Sequence, residues 1–293
     1  MPKIAHTVLG RTWVRALMLT LAAGISLWSF HRVPHASWLP ALLGLVPWAV
    51  GKYVLCPMRW HALSTSGQRA RWHLRVYAES ELLGLVSPGH AGADLWRMHK
   101  LQKTGMNRTS SVAEVALDRL LGAIGLAVFV LVAGATLPPQ VLFAALGLAG
   151  AVLGGVFVVR RLRPELLAAR PLPHPRIVVK GVLLSMAYQL TIMLMLMGTI
   201  AAMGHDELNP LALLGVFGAS QVAGIVPGVN GASPREGALV VGLASLGLSW
   251  TAAIGAVALT ALLAWLPALL LGGGSFLLHR LQRARSGPVA AAA

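Results

Sequence analysis

Charge is what this chain has least of: 11% of its 293 residues are Asp, Glu, Lys or Arg, against about a quarter in soluble domains. With 56% of the residues hydrophobic, that shortage excludes an ordinary water-soluble domain and points to a chain that crosses a membrane several times. There is one cysteine, Cys56 beside Pro57. It excludes an internal disulfide, and no second Cys stands at metal-ligand spacing. The histidines, among them His31, His35, His61, His73, His90, His99 and His174, scatter without paired spacing and read as solvated or interfacial side chains, so no metal is expected. No phosphate-binding loop, nucleophile elbow or Ser/Lys signature is present, so the chain reads as neither an enzyme nor a cofactor protein. Acids are scarcer still, nine in all against 24 Lys and Arg. The resulting net charge of +15 would suggest nucleic acid in a soluble protein, but its placement decides otherwise.

A bilayer crossing takes about 20 mostly apolar residues. Spans are expected at about 13 to 30, 38 to 57, 111 to 137, 141 to 159, 177 to 203 and 250 to 278. Apolar pieces at 76 to 87, 210 to 226 and 237 to 248 are shorter. The first span follows Lys3, Arg11 and Arg15 and looks like a signal peptide, but His31-Arg32-Val33-Pro34 follows where a small-residue cleavage site would be, so it reads as retained. A cytoplasmic N-terminus places most of the Lys and Arg inside, in the stretches 58 to 109 and 160 to 180 and in the tail, as the positive-inside rule requires. Lys52, Arg119 and Arg235 are left at membrane depth. The expected fold is an all-α polytopic membrane protein with about six to eight transmembrane helices. One integral membrane domain covers 1–285, and 286–293 form a disordered C-terminal tail. The C-terminus is cytoplasmic like the N-terminus, and the membrane is the cell's inner one.

Two stretches resemble each other: Gly84-Leu85-Val86-Ser87-Pro88-Gly89-His90-Ala91-Gly92-Ala93 and Gly224-Ile225-Val226-Pro227-Gly228-Val229-Asn230-Gly231-Ala232. Each breaks an apolar segment, and each is followed by an acid and an Arg, Asp94 with Arg97 and Arg235 with Glu236. Broken segments at matching places in two halves point to a transport site. With three spans between them, the two breaks enter from opposite sides. This makes two re-entrant hairpins in an inverted repeat, the first unit at about 38–137 and the second at about 177–278. The pieces 210 to 226 and 237 to 248 also fit two thin spans. Six of the nine acids, Glu79, Glu81, Asp94, Glu114, Asp118 and Glu236, lie in or near the breaks or on the third span. A charge at bilayer depth costs at least about 2.5 to 3.5 kcal/mol on insertion scales, so these groups face partners or a watery cavity. Glu114 and Asp118 share a helical face by their spacing. Asp118 and Arg119 fit pairing with other helices that fixes the fold as well as they fit a site. Half-helix ends and arginines suit an anion such as phosphate. The candidate site therefore comprises Asp94, Arg97, Glu114, Asp118, Arg119, Arg235 and Glu236, with Pro88, Gly89, Gly92, Pro227, Gly228 and Gly231 shaping the backbone. The segment from Arg59-Trp60-His61 to Arg69-Ala70-Arg71-Trp72 fits either the anionic inner leaflet or a plain cytoplasmic loop.

Three runs carry a resemblance: Ser87-Pro88-Gly89-His90-Ala91-Gly92-Ala93-Asp94-Leu95-Trp96-Arg97, then Asp118-Arg119-Leu120, then Pro227 to Gly237. In order and spacing they resemble the lysylphosphatidylglycerol synthase transmembrane (flippase-domain) family. The resemblance implies re-entrant helices facing a central cavity, and places Arg97, Asp118, Arg119, Arg235 and Glu236 at the family's charged positions. It also implies the movement of a phosphate-bearing lipid between leaflets: a phospholipid, a hopanoid or a polyprenyl-phosphate-linked lipid. The chain ends soon after its basic tail, so the soluble aminoacyl-transferase domain of fused relatives is not expected.

The function expected is a flippase or transporter whose headgroup site uses Arg97 and Arg235 from opposite sides. Asp118, Glu114 and Glu236 would balance them, and one of the three would carry a coupling proton. Its partners would be membrane lipids, not nucleic acid. The alternative is a non-transporting accessory protein that holds a separately encoded lipid-modifying enzyme or glycosyltransferase. A small-residue face at Gly215, Gly218 and Ala219 would serve packing within the monomer or a homodimer.

Overall fold

The computed structural model describes residues 37–85, 87, 90–132, 173–205, 207–224 and 233–285, with isolated positions at 24 and between 139 and 162. The first expected span, the larger part of the fourth, and the tail 286–293 lie outside the described residues. Among those described there are eight helices and no strand. The long helix α1 runs from Trp38 to Leu63, followed by α2 (Ala70–Leu85), α3 (Ala91–Gln102) and α4 (Arg108–Val132). Then come α5 (Pro175–Ala202), α6 (Pro210–Ala223), α7 (Pro234–Ser245) and α8, which starts at Trp250 and continues to Arg285. Four of them, α1, α4, α5 and α8, are long and apolar enough to cross a membrane. The order long, short, short, long thus occurs twice.

The helix limits follow from local chemistry. Pro175, Pro210 and Pro234 each stand in the first turn of α5, α6 and α7, where a missing N–H costs nothing. α1 contains a π turn, Gly51–Leu55, and α8 another, Ala268–Gly273. Each adjoins a proline, Pro57 or Pro267, that cannot donate to the carbonyl four residues earlier. The widened turns absorb that loss of register.

α1 and α5 are antiparallel partners. Ser37 at the start of α1 donates its N–H to the Ala202 carbonyl at the end of α5 (2.9 Å), and Arg59 near the other end meets Ser185. Glycines let the two backbones touch. A Cβ on Gly198 would lie 2.5 Å from the Pro40 carbonyl oxygen, one on Gly44 2.9 Å from that of Leu194, and one on Gly51 would collide with Thr191. α1 opens the first long-short-short-long unit and α5 the second, so these two corresponding helices run in opposite directions. The core lies between α5, α6, α7 and α8, around Met195, Leu196, Phe217, Leu243 and Leu259. The outward faces of α1, α5 and α8 carry exposed Leu39, Leu43, Val46, Leu183, Leu190 and Leu270, the pattern of helices whose solvent is lipid.

Two boundaries differ from expectation. α1 does not end near 57. It continues to Leu63, and Arg59 and Trp60 of the supposed basic loop are buried in it. α2 begins at Ala70 instead of 76, with Trp72 and His73 packed against Trp60. At 14 and 12 residues, α6 and α7 are half-helices by length. Gly215 and Gly218 of α6 are buried within the monomer, and Val216 fills the space above Gly242 of α7.

Candidate functional site

The two breaks converge. A cavity of about 110 Å³ is lined by Leu85 and His90 from the first break and by Arg235 and Glu236 from the second. Lys52 and Tyr53 of the α1 π turn, Glu81 of α2, Tyr188 of α5 and Thr260 of α8 complete its polar lining. The breaks are built alike. Gly84 ends α2 where a Cβ would meet the His90 ring at 3.0 Å, and Gly224 ends α6 where a Cβ would meet the Arg235 side chain at 3.3 Å. These are the same position in the two similar stretches. A bare backbone there lets the residue that opens the next half-helix fold back over the previous one.

Each second half-helix has its own start. Ser87 holds the first break: its hydroxyl donates to the Leu83 carbonyl (3.0 Å) and accepts from the Gly92 N–H (2.8 Å). A Cβ on Gly92 would crowd that hydroxyl at 2.8 Å, so the turn needs glycine. His90 then enters α3 with φ 60, a left-handed conformation uncommon outside glycine, which His, Asn and Asp take more readily than other residues. At the second break the Glu236 carboxylate accepts the Ser233 N–H (2.9 Å) and the Ser233 hydroxyl, closing a capping box at the start of α7. Its other oxygen accepts from Arg235 at 3.0 Å. Pro88, Gly89, Pro227, Gly228 and Gly231 lie outside the described residues.

Inside the cavity Lys52 Nζ lies 2.9 Å from Glu81 Oε2, and His90 Nε2 is 3.8 Å from the same oxygen. The Lys52 ammonium also lies about 6 Å from the rings of Tyr77 and Tyr188. Two cations and two carboxylates thus line one chamber, each cation beside an acid.

A second charged cluster stands apart from it. Asp118 is fully buried between two guanidiniums, Arg59 Nε at 2.8 Å on Oδ1 and Arg97 Nη2 at 2.7 Å on Oδ2. Arg59 also donates to the Ser185 hydroxyl, and Arg97 stacks 4.3 Å above the Trp60 ring. Glu114, one turn before Asp118, accepts the Trp60 indole N–H (2.9 Å) and the Thr65 N–H (3.2 Å). Arg119 points the other way, to Asp94 at 3.1 Å. Glu79 ties α2 to α3 and α8 by accepting from Trp96, Lys100 and Ser275.

Of the expected site residues, then, Arg235 and Glu236 line the cavity. Arg97, Asp118 and Glu114 are brought together in the buried cluster, where Arg97 is locked between Asp118 and two aromatic rings and does not face Arg235 across the chamber. Asp118 and Arg119 each pair with other helices, Asp118 with Arg59 of α1 and Arg97 of α3 and Arg119 with Asp94 of α3. Lys52 and Glu81 take the place expected of Arg97. Their signal was visible as a cation and an acid at membrane depth, but nothing in the linear order ties 52 to 81. His90, dismissed as one histidine among many, was marked by its place inside the break.

One family model, described as the lysylphosphatidylglycerol synthase TM region, matches residues 13–272. The chain belongs to that family. No curated protein and no solved structure matches it. As a member of the lysylphosphatidylglycerol synthase TM region family, with four helices fit to cross a bilayer, it is an integral membrane protein of lipid-related function. Both similar stretches and the buried Asp118 cluster fall inside the matched residues.

Proposed function

We propose that this protein is a transporter, not an enzyme, and moves a phosphate-bearing lipid between the leaflets of the cytoplasmic membrane. One observation carries the reading: the two broken segments meet at a single charged cavity bounded by long helices with apolar outer faces. Lys52 and Arg235 supply the cations for a phosphate. Arg235 keeps about a third of its side chain uncovered (32%), and the first turn of α7 adds the partial positive charge of a half-helix start. The acyl or isoprenoid chains remain in lipid beside the outward faces of α1, α5 and α8. Both termini face the cytoplasm, where the basic stretches of the sequence collect. A scaffold for a separately encoded enzyme should tolerate neutral replacement of the cavity charges, each of which costs insertion energy, whereas a transporter should not.

The test is leaflet-resolved movement of labelled phosphatidylglycerol and polyprenyl phosphate in liposomes holding the purified protein. Wild type should move at least one of them, and Lys52→Ala and Arg235→Ala should each slow it by tenfold or more. Movement unchanged in both variants would show that the headgroup site is elsewhere.

A further inference from the structure

The cavity charges already sum to zero: Lys52 and Arg235 against Glu81 and Glu236. A phosphodiester entering such a chamber leaves it with one uncompensated negative charge, which is costly at bilayer depth. A proton arriving with the lipid removes that cost, so the question becomes which carboxylate can take it.

Geometry singles out Glu81. Asp118 is gripped by two guanidiniums, and Glu114 by an indole and a backbone N–H. Glu236 holds the start of α7 through Ser233 and also accepts from Arg235. The Glu81 carboxylate has as its close partner a flexible amine, Lys52, and both Lys52 and His90 address the same atom, Oε2. When the Lys52 ammonium turns to a lipid phosphate, that oxygen is left in a chamber walled by Trp48, Leu85, Ile192 and Met195. His90 is next to it, held in a left-handed backbone conformation that no other non-glycine among the described residues adopts. Strain of this kind is kept where the geometry has a use. The remaining groups around Glu81 are Tyr77 on its own helix, Tyr53 from α1, Tyr188 from α5 and Arg119 from α4, with Arg235 and Glu236 from α7 lining the same cavity. His90 Nε2 and Glu81 Oε2 are 3.8 Å apart.

We propose that Glu81 is a proton carrier fed by His90, and that a phosphate-bearing lipid and one proton cross together. This rests on the transporter reading above. The exchange balances with His90 as a neutral relay: the Lys52 ammonium leaves Glu81 Oε2 for the phosphate, a hydronium O–H breaks to give Nδ1–H on the ring, the Nε2–H breaks as an O–H forms on Oε2, and His90 is left neutral and returns to its first tautomer by exchange with water. The loaded cavity carries no net charge, and the lipid anion plus proton is electroneutral overall.

The experiment uses full-length protein in liposomes with fluorescent phosphatidylglycerol or a sugar-linked polyprenyl phosphate, both phosphodiesters of one negative charge, the membrane potential clamped at zero, and a gradient of one pH unit imposed. One proton per lipid predicts enrichment in the leaflet facing the alkaline side, approaching about tenfold per pH unit, and no response when a potential replaces the gradient. Glu81→Gln should abolish the enrichment at any residual rate, and His90→Gln should slow its approach. Lipid movement by wild type that ignores the pH gradient overturns proton coupling and leaves the transporter standing. No movement of either lipid by folded wild type overturns the transporter and the coupling together. The wild-type gradient measurement decides proton coupling even if a variant fails to fold, and enrichment retained in Glu81→Gln or in Glu81→Ala overturns Glu81 as the carrier.

Discussion

Asp118 has the most to lose from a single change. It is the shared counter-charge of Arg59 and Arg97, all three buried. Removing one member of a buried ion cluster strands the rest, at about 3–5 kcal/mol. Asp118→Asn is therefore expected to lower stability by that amount, read as a large fall in the unfolding midpoint by tryptophan fluorescence in detergent. Arg119→Ala, its sequence neighbour, should cost about 1 kcal/mol or less, because its bridge is half open and Asp94 keeps Arg97 at 3.9 Å. Equal losses in the two variants would contradict the division of roles. The shared face of Glu114 and Asp118 was legible from their spacing alone. The identity of their partners was not, because Arg59 lies 59 residues from Asp118 and looks, in the linear sequence, like one more cation of a cytoplasmic loop.

At the scale of elements, the breaks and the long spans were readable because they depend on local features: apolar run length, proline in a first turn, and glycine where two half-helices fold together. Gly84 and Gly224 were found as copies before their common packing role was visible. The α1–α5 contact was not readable, since single glycines in apolar helices do not announce which backbone they approach. That contact makes its own prediction. Gly198→Leu must push Pro40 and Gly44 away from α5, where even a Cβ would sit 2.5 and 3.1 Å from them. Overpacking of this kind costs about 1–3 kcal/mol, and the displaced α1 carries Lys52 with it, so lipid movement should fall along with the unfolding midpoint. Gly237→Ala in α7 meets nothing within 4 Å and should instead raise stability by about 0.5–1 kcal/mol. If Gly198→Leu proves as mild as Gly237→Ala, the close crossing is not what holds the two units together.

For the molecule as a whole, the antiparallel run of α1 against α5 fixes the relative topology of that pair, and charge placement predicts the absolute one. The turn after α1 at Thr65 and the turn after α5 at Glu207 lie at opposite ends of the pair, because Ser37 bonds to Ala202 at one end and Arg59 to Ser185 at the other. The 58 to 109 stretch is rich in Lys and Arg, while the connection at 203 to 209 contains Asp206 and Glu207 and neither Lys nor Arg. The positive-inside rule then puts Thr65 in the cytoplasm and Glu207 outside. In a Cys56→Ala background, a membrane-impermeant thiol reagent applied to whole cells should label Glu207→Cys and spare Thr65→Cys, and the pattern should reverse in inside-out vesicles. Labelling of both from one side would break the antiparallel arrangement. A clean exchange of the two would keep the arrangement but invert the membrane orientation.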